Sequence, residues 1–384
     1  ETVKKQSIMI KICIISSVHP PFDVRIFHKE AETLVKAGYE VLLIAQHDKA
    51  ELVDGVRIIN LKTPGNRMAR MTKTVWSAFR KALKTNAALY HIHDPELMPI
   101  GFLLKFLGKE VIYDMHENLP KQIRNKEWIN PKLRYLVSKI VCFAERAFLH
   151  NIPIIFAEIS YHKDYLWVKN YETILNLPVL SHLAYVDNGA IEKNKFAIGY
   201  IGAVSNARGS METLEALKIL SMRGFLPSFE CVGPMTASHE EELLNKCREY
   251  QLTNVKLYGY LPADKGWPVI QRCSVGLALL HPISNYYESY PTKIFEYMAM
   301  GIPVIASNFP LYRSIIEAHN CGICVDPLDP HAIADALCRL MDNPSEAKAL
   351  GANGRAAVEE IYNWDVESAK LLDFYTKLLA QSSN

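Results

Sequence analysis

Short apolar runs alternate with stretches of helical periodicity from one end of this chain to the other. In the first half, residues 11–16, 40–45, 56–60, 89–91, 110–114, 154–157 and 173–175 read as strands. In the second half the corresponding runs are 197–201, 228–232, 255–258, 275–279, 304–307 and 322–325. Strands alternating with helices in this way predict parallel sheets covered by helices on both faces. Residues 178–195 are polar, show no periodicity and read as a linker. Residues 365–379 place Val366, Ala369, Leu371, Leu372, Tyr375 and Leu378 along one helical face. The predicted architecture is α/β, with two Rossmann-like doubly wound domains, 9–180 and 195–362, facing each other across a cleft. A final helix within 363–384 is expected to pack back on the first domain. Ligands of such sheets bind at the carboxyl ends of the strands.

One segment departs from plain core patterning. Residues 288–307 read as a loop, a short helix opened by Pro291 and closed by Gly301, and a strand. The helix is apolar almost all round, which predicts burial, yet Lys293 stands in its first turn and Glu296 in its second. The amino end of a helix is electropositive, so a lysine there is unfavourable unless an anion shares the site. Glu288 and Glu296 can both face a ligand at the helix mouth, where a carboxylate suits vicinal hydroxyls. The alternative is a Lys293–Glu296 ion pair covering an apolar helix.

The turn after residues 197–201 favours the ligand. Gly199-Tyr-Ile-Gly202 leads into Arg208-Gly209 just before a helical run, so backbone can approach a phosphate and a guanidinium can grip it. In the first half, His91-Ile-His93-Asp94-Pro-Glu96 and Ile112-Tyr-Asp114-Met-His116-Glu117 end two strands where the cleft is expected. Each histidine alone could be structural; two such clusters together point to a polar, reactive cleft. Neither has compact metal-ligand spacing, and D-x-D is absent from the chain, so no metal is expected.

Composition narrows the class. Lysine plus arginine number 43 against 41 acidic residues, which gives no excess for binding nucleic acid. No apolar run approaches the roughly 20 residues of a membrane span. The eight cysteines are scattered, mostly within apolar runs, as free thiols of a cytoplasmic protein would be. Cys321-Gly-Ile-Cys324 is a lone pair of thiols and reads as part of a strand.

The block E-S-Y-P-T-K-I-F-E-Y-M-A-M-G-I-P-V-I-A-S resembles the donor-site motif of retaining GT-B glycosyltransferases of family 4, the glycosyl transferases group 1. The Arg208-Gly209 turn resembles it too, as does the opening Ser17-Val-His-Pro-Pro-Phe-Asp23-Val-Arg25 followed by Ala37-Gly-Tyr-Glu-Val-Leu. The likeness extends over essentially the whole chain and implies the GT-B fold. It implies that Glu296 bonds the ribose of a nucleotide diphosphate sugar, and that Glu288 with Ser289, Tyr290 and Thr292 addresses the sugar and phosphates. Arg208 and Lys293 would neutralise the diphosphate beside Gly202 and Gly209, with the base near Tyr260 and His116 on the donor sugar. Such a site works without a metal or other cofactor, the nucleotide sugar being a substrate. Family members are usually described with front-face attack, so no nucleophile is assigned.

Two departures stand out. Ala203 occupies a position where many members carry a basic residue, and the first loop lacks their paired glycines. Asp23 and Arg25 are candidates to replace that loop's contact, with Asp94 and Glu117 as further acceptor or cleft candidates. The expected donor is a UDP-sugar and the expected acceptor a lipid-linked or polysaccharide chain in cell-surface glycan assembly. The basic stretches 66–84 and 121–135, the latter with Trp128, suit either anionic lipid at the inner face of the membrane or ordinary solvated helices. Rival readings are a non-hydrolysing sugar-nucleotide epimerase of the same fold and a degenerate nucleotide-sugar-binding subunit. The two-glutamate block disfavours the first; Ala203 and the missing glycines motivate the second.

Overall fold

The computed structural model describes residues 9–125, 129–183 and 196–381, in two compact units. One comprises the chain up to Asn176 together with the residues from Asp365 on; the other is Leu177–Trp364.

The first unit is built on an eight-stranded sheet: β1 (Lys11–Ile15), β2 (Glu40–Gln46), β3 (Glu51–Val53), β4 (Val56–Leu61), β5 (Leu89–Ile92), β6 (Glu110–Met115), β7 (Ile154–Phe156) and β8 (Tyr171–Thr173). Their order is β3-β4-β2-β1-β5-β6-β7-β8, parallel except for the β3–β4 pair. β1 lies inside the sheet and is buried from Ile12 to Ile15, which explains its unbroken apolar run. β3 is an addition to the reading above. Its hairpin turns at Asp54-Gly55, both at positive φ (49° and 83°), the Asp-Gly signature of a tight hairpin. The strand expected at 173–175 is instead Tyr171–Thr173: the Ile174 amide makes the last ladder bond, to Phe156 O, and the Leu175 amide turns away to Glu367.

The helix Trp364–Gln381 belongs to the first unit from Asp365 on, burying Leu371, Phe374, Tyr375 and Leu378. Each such side chain contributes on the order of 1.5–3 kcal/mol of burial. Three consecutive helical segments, Arg67–Ala69, Arg70–Thr74 and Val75–Thr85, bury Val75 and Phe79 but leave Met68, Met71 and Trp76 exposed. Residues 121–125 end the helix Leu119–Asn125, and Trp128 lies outside the described residues.

The second unit has a six-stranded, wholly parallel sheet: β9 (Ala197–Ile201), β10 (Ser228–Val232), β11 (Val255–Gly259), β12 (Val275–Ala278), β13 (Val304–Ser307) and β14 (Gly322–Val325). The order β11-β10-β9-β12-β13-β14 is that of a dinucleotide-binding fold. The helix of the two-glutamate block runs Thr292–Ala299, so Pro291 is its extended N-cap and not its first helical residue. Gly301, at φ 69°, follows its end. Tyr297 anchors this helix: its hydroxyl donates to Leu277 O at 3.1 Å and accepts from Ile201 N at 3.0 Å. Most of the linker, 184–195, lies outside the described residues. Cys321 precedes β14 and Cys324 lies in it; both are free thiols, pushed by burial up to about 11 and about 12.

Candidate functional site

In the second unit the strand order reverses between β9 and β12, the point where loops diverge and doubly wound sheets take their ligands. Gly202 follows β9 at φ 117°, a conformation that only glycine adopts readily. A Cβ built on it would lie 3.4 Å from Lys293 Nζ and 4.0 Å from Arg208 Nη1. Two cations therefore converge on one bare stretch of backbone. Gly209, at φ 74°, begins the turn into the helix Ser210–Met222. A Cβ there would meet Leu279 O at 2.4 Å, so the Arg208 loop sits directly on the end of β12.

Lys293 is 6% exposed, and its Nζ has no hydrogen-bond partner among the described residues. The ammonium lies 3.7 Å from the centroid of the Tyr200 ring. Burial, and then Arg208, push its pKa down to about 7, against a smaller opposing effect of Glu296. A buried lysine beside an arginine, at a helix start with no side-chain cap, is an unneutralised anion site. Arg208 lies over the Tyr286 ring at 5.8 Å. The Arg208 loop is backed by His281, whose amide donates to Ala207 O at 2.9 Å and whose ring pairs with Glu212 at 3.0 Å.

Glu288, Ser289, Tyr290, Thr292 and Glu296 are all half-buried around the amino end of the Thr292–Ala299 helix. Tyr290 stacks on Phe295, with centroids 6.1 Å apart. Tyr260, just past β11, is 72% exposed. Ala203 is exposed and offers only its carbonyl, to the Tyr200 hydroxyl. Sequence reasoning had not singled out Tyr200, although it lies inside the glycine motif; an aromatic in a strand reads as core.

In the first unit the order reverses between β1 and β5. Asp94, after β5, is buried, and its Oδ2 accepts from Ser17 N (2.6 Å), Ser16 Oγ (3.0 Å) and Val18 N (3.2 Å). It holds the loop after β1 in place. Glu96 does the same through Ser17 Oγ and ties Arg70 to the sheet. Asp23 caps the chain at Arg25 and Ile26; burial would raise its carboxyl, but His19 and these amides hold it at about 2. Glu117 is exposed, and His116, 22% exposed at its side chain, sits at the end of β6.

Arg25 does not reach for a phosphate. It is 4% exposed and forks onto Asp114, with Nε at 3.1 Å and Nη2 at 3.0 Å from Oδ2, and donates to Ile174 O. The loop's polar residue is thus committed to the interior, where a bidentate pair compensates the cost of burial. Around it lie Glu30, His91 and His93. Burial would raise Asp114, but Arg25 and His116 hold it well below the usual carboxylate range. Burial and Asp114 together push Glu30 well above it. Burial lowers His91 to about 4 and holds His93 well below the usual histidine range, so both rings are neutral. Ligand atoms of Glu30, His91, His93 and Asp114 lie within 4.8 Å of one another, a spacing that could hold a metal. The cluster already contains a cation, however: Arg25 Nε is 2.9 Å from Glu30 Oε1 and occupies both oxygens of Asp114.

The family model described as "Glycosyl transferases group 1" matches residues 184–357. The MMP alpha-(1->4)-mannosyltransferase of Mycolicibacterium hassiacum is 31% identical over 100 residues, 26% of this chain and 24% of that protein. The capsular polysaccharide biosynthesis glycosyltransferase CapM of Staphylococcus aureus is 22% identical over 209 residues, 51% of this chain and 52% of that one. The chain thus spans about a quarter to a half of the length of these relatives. The solved structure of Anabaena Alr3699/HepE, described in complex with UDP and glucose, superposes with a TM-score of 0.73 at 13% identity, covering 96% of this chain and 100% of that one. That likeness shows the fold: two parallel-sheet domains of the GT-B class.

Proposed function

We propose that this chain, which carries a glycosyl transferases group 1 domain on a GT-B fold, is a retaining glycosyltransferase that uses a nucleotide diphosphate sugar. The observation that carries the reading is the buried, unpartnered Lys293 converging with Arg208 on Gly202. A donor diphosphate supplies the missing counter-charge, and as a leaving group it gains charge in the transition state, where fixed cations act most strongly. Glu296 is assigned to the ribose, Glu288 with Ser289, Tyr290 and Thr292 to the sugar and its phosphates, and His116 to the donor sugar. UDP is the preferred nucleotide, on the ligands named for the Anabaena protein. The acceptor is placed in cell-surface glycan assembly, on the name of the staphylococcal relative.

With two cations on the diphosphate, the reaction should need no metal. Incubation with UDP-, GDP- and ADP-sugars should release nucleotide diphosphate, fastest with UDP, and equally in excess EDTA. Strict dependence on a divalent ion would remove the roles given to Arg208 and Lys293. Sugar isomerisation without release would instead indicate an epimerase.

Donor affinity should depend on pH through Lys293. Its pKa is about 7 in the unliganded protein, and a bound diphosphate raises it, because the anion favours the charged amine. Affinity is then fully present below pH 7 and falls above it, by about tenfold between pH 6 and 8. Calorimetry in buffers of differing ionisation enthalpy should show proton uptake on binding near pH 8. Flat affinity over that range would contradict the assignment.

We further propose peripheral docking on anionic membrane through the helical run Arg67–Thr85. Arg67, Met68, Met71, Lys73, Trp76 and Arg80 are all exposed along it, pairing basic with apolar contact. No helix among the described residues is long and apolar enough to cross a membrane. The protein should sediment with phosphatidylserine vesicles, and reversing Arg67 and Lys73 to glutamate should release it. Sedimentation indifferent to both changes would exclude this surface.

A further inference from the structure

The first unit carries a cavity of about 380 Å³ beyond the carboxyl end of β4, a size that takes small ligands. None of its lining residues belongs to the Arg25–Asp114 cluster. The loop after Leu61 forms one wall, and the helical run that follows forms the other. Within that run Arg70–Thr74 is wound as a π-helix, with Val75 N–H reaching back to Arg70 O. Such wide turns are rare and recur at functional sites. Lys73 and Thr74, both in this turn, line the hollow.

The other polar lining residues are Lys62, Thr63 and Ser77. Among the described residues, the side chains of these two lysines and three hydroxyl residues have no hydrogen-bond or ion-pair partner. Thr74 stands out. It is only 6% exposed, and a hydroxyl buried to that degree normally finds a partner. Here the cavity is what it faces.

The surroundings carry one sign of charge. Between Asp54 and Asp94 the chain has no acidic residue and eight lysines and arginines, against near balance over the whole sequence. Arg70 spends its charge on Glu96 and Lys81 bonds Asn60 O, which leaves Lys62 and Lys73 uncommitted. A concave wall of one sign concentrates counter-ions.

We propose that this cavity binds a phosphomonoester group. Two ammonium charges and three hydroxyls match the three terminal oxygens and double charge of that group better than the two oxygens of a carboxylate. Leu61, Pro64 and Ala69 add an apolar wall, which bare phosphate would not need and the carbon of an ester covers. Two sources share this chemistry: a soluble phosphate ester and the headgroup of phosphatidate. The site goes beyond the transferase and membrane readings above and rests on neither, since a soluble ester such as glycerol 3-phosphate is no glycosyl donor and needs no bilayer.

Calorimetry of the full chain with glycerol 3-phosphate measures the site. Binding should survive Lys293→Met, which removes a cation of the second unit, and weaken about tenfold in Lys62→Gln and in Lys73→Gln. Thr74→Val exchanges one hydroxyl for a methyl group and should weaken it several-fold. Vesicles then identify the source. At matched surface charge, a preference for phosphatidate over phosphatidylserine that Thr74→Val removes marks the lipid headgroup. No such preference, beside intact binding of glycerol 3-phosphate, marks a soluble ester. Failure to bind glycerol 3-phosphate together with no preference for phosphatidate overturns the proposal. So does binding that Lys293→Met abolishes, or that folded Thr74→Val and Lys62→Gln variants leave unchanged. Arg67 is not in the cavity wall, so release from phosphatidylserine vesicles by its reversal alone reports on membrane docking and not on this site.

Discussion

Lys293→Met should lower kcat/KM for the nucleotide sugar by about 10²–10³ and yet leave the unliganded protein more stable than wild type. The two effects share one cause. Lys293 is buried beside a second cation with no hydrogen-bond partner for Nζ among the described residues, so without a bound anion its charge has only weak compensation, from the Tyr200 ring and Glu296. Methionine fills a similar volume with no polar group. Removing an unsatisfied buried polar group recovers about 1–3 kcal/mol, more where the group is charged. On a bound diphosphate the same ammonium becomes a fixed, desolvated counter-charge, strongest as the leaving group develops its negative charge. Arg208→Ala should show the same loss of turnover without the gain, because Arg208 is only part-buried and stacked near Tyr286. The checks are initial rates of nucleotide release and a thermal melt of the apo protein. A Lys293→Met variant that is less stable and fully active would make the lysine an ordinary core residue.

Asp114→Ala should cost the first domain about 3–5 kcal/mol, the usual penalty for breaking one partner out of a buried ion pair. Arg25 would lose the acceptor of its Nε and Nη2 and remain buried beside Glu30, which is itself without aligned hydrogen bonds. Replacing both partners, Arg25→Met with Asp114→Leu, should recover much of that loss, since well-packed apolar groups can substitute for a buried pair at little net cost. Chemical denaturation followed by a probe in the first domain measures both. A loss within about 0.5 kcal/mol for Asp114→Ala would mean that solvent reaches the cluster.

The elements were legible because parallel strands buried on both faces read as unbroken apolar runs, and most of the predicted strands lie within a residue or two of the observed ones. The exceptions have local causes. β3 is a short edge strand without a long apolar run, signalled only by Asp54-Gly55. The end of the first sheet slipped from 173–175 to Tyr171–Thr173 because the Leu175 amide leaves the ladder for the Glu367 carboxylate. Around the Thr292–Ala299 helix, Lys293 in the first turn of an apolar helix stood out in the sequence, where it fits either an anion site or an ion pair with Glu296.

What no local pattern could reveal is which polar groups spend their charge on one another. Arg25, Glu30, His91, His93 and Asp114 come from a helical turn and two strands far apart in sequence, and the sheet order alone brings them together. Arg25 therefore looked like a ligand contact in the chain and is an interior counter-ion in the fold. Local order, fold class and the anion-seeking helix follow from short-range periodicity and the helix dipole, which neighbouring residues determine between them. The Tyr200 ring against Lys293 and the convergence of Lys293 and Arg208 on Gly202 depend on contacts between segments far apart in sequence. Only tertiary packing decides those, because burial sets the dielectric and the partners that each charge meets.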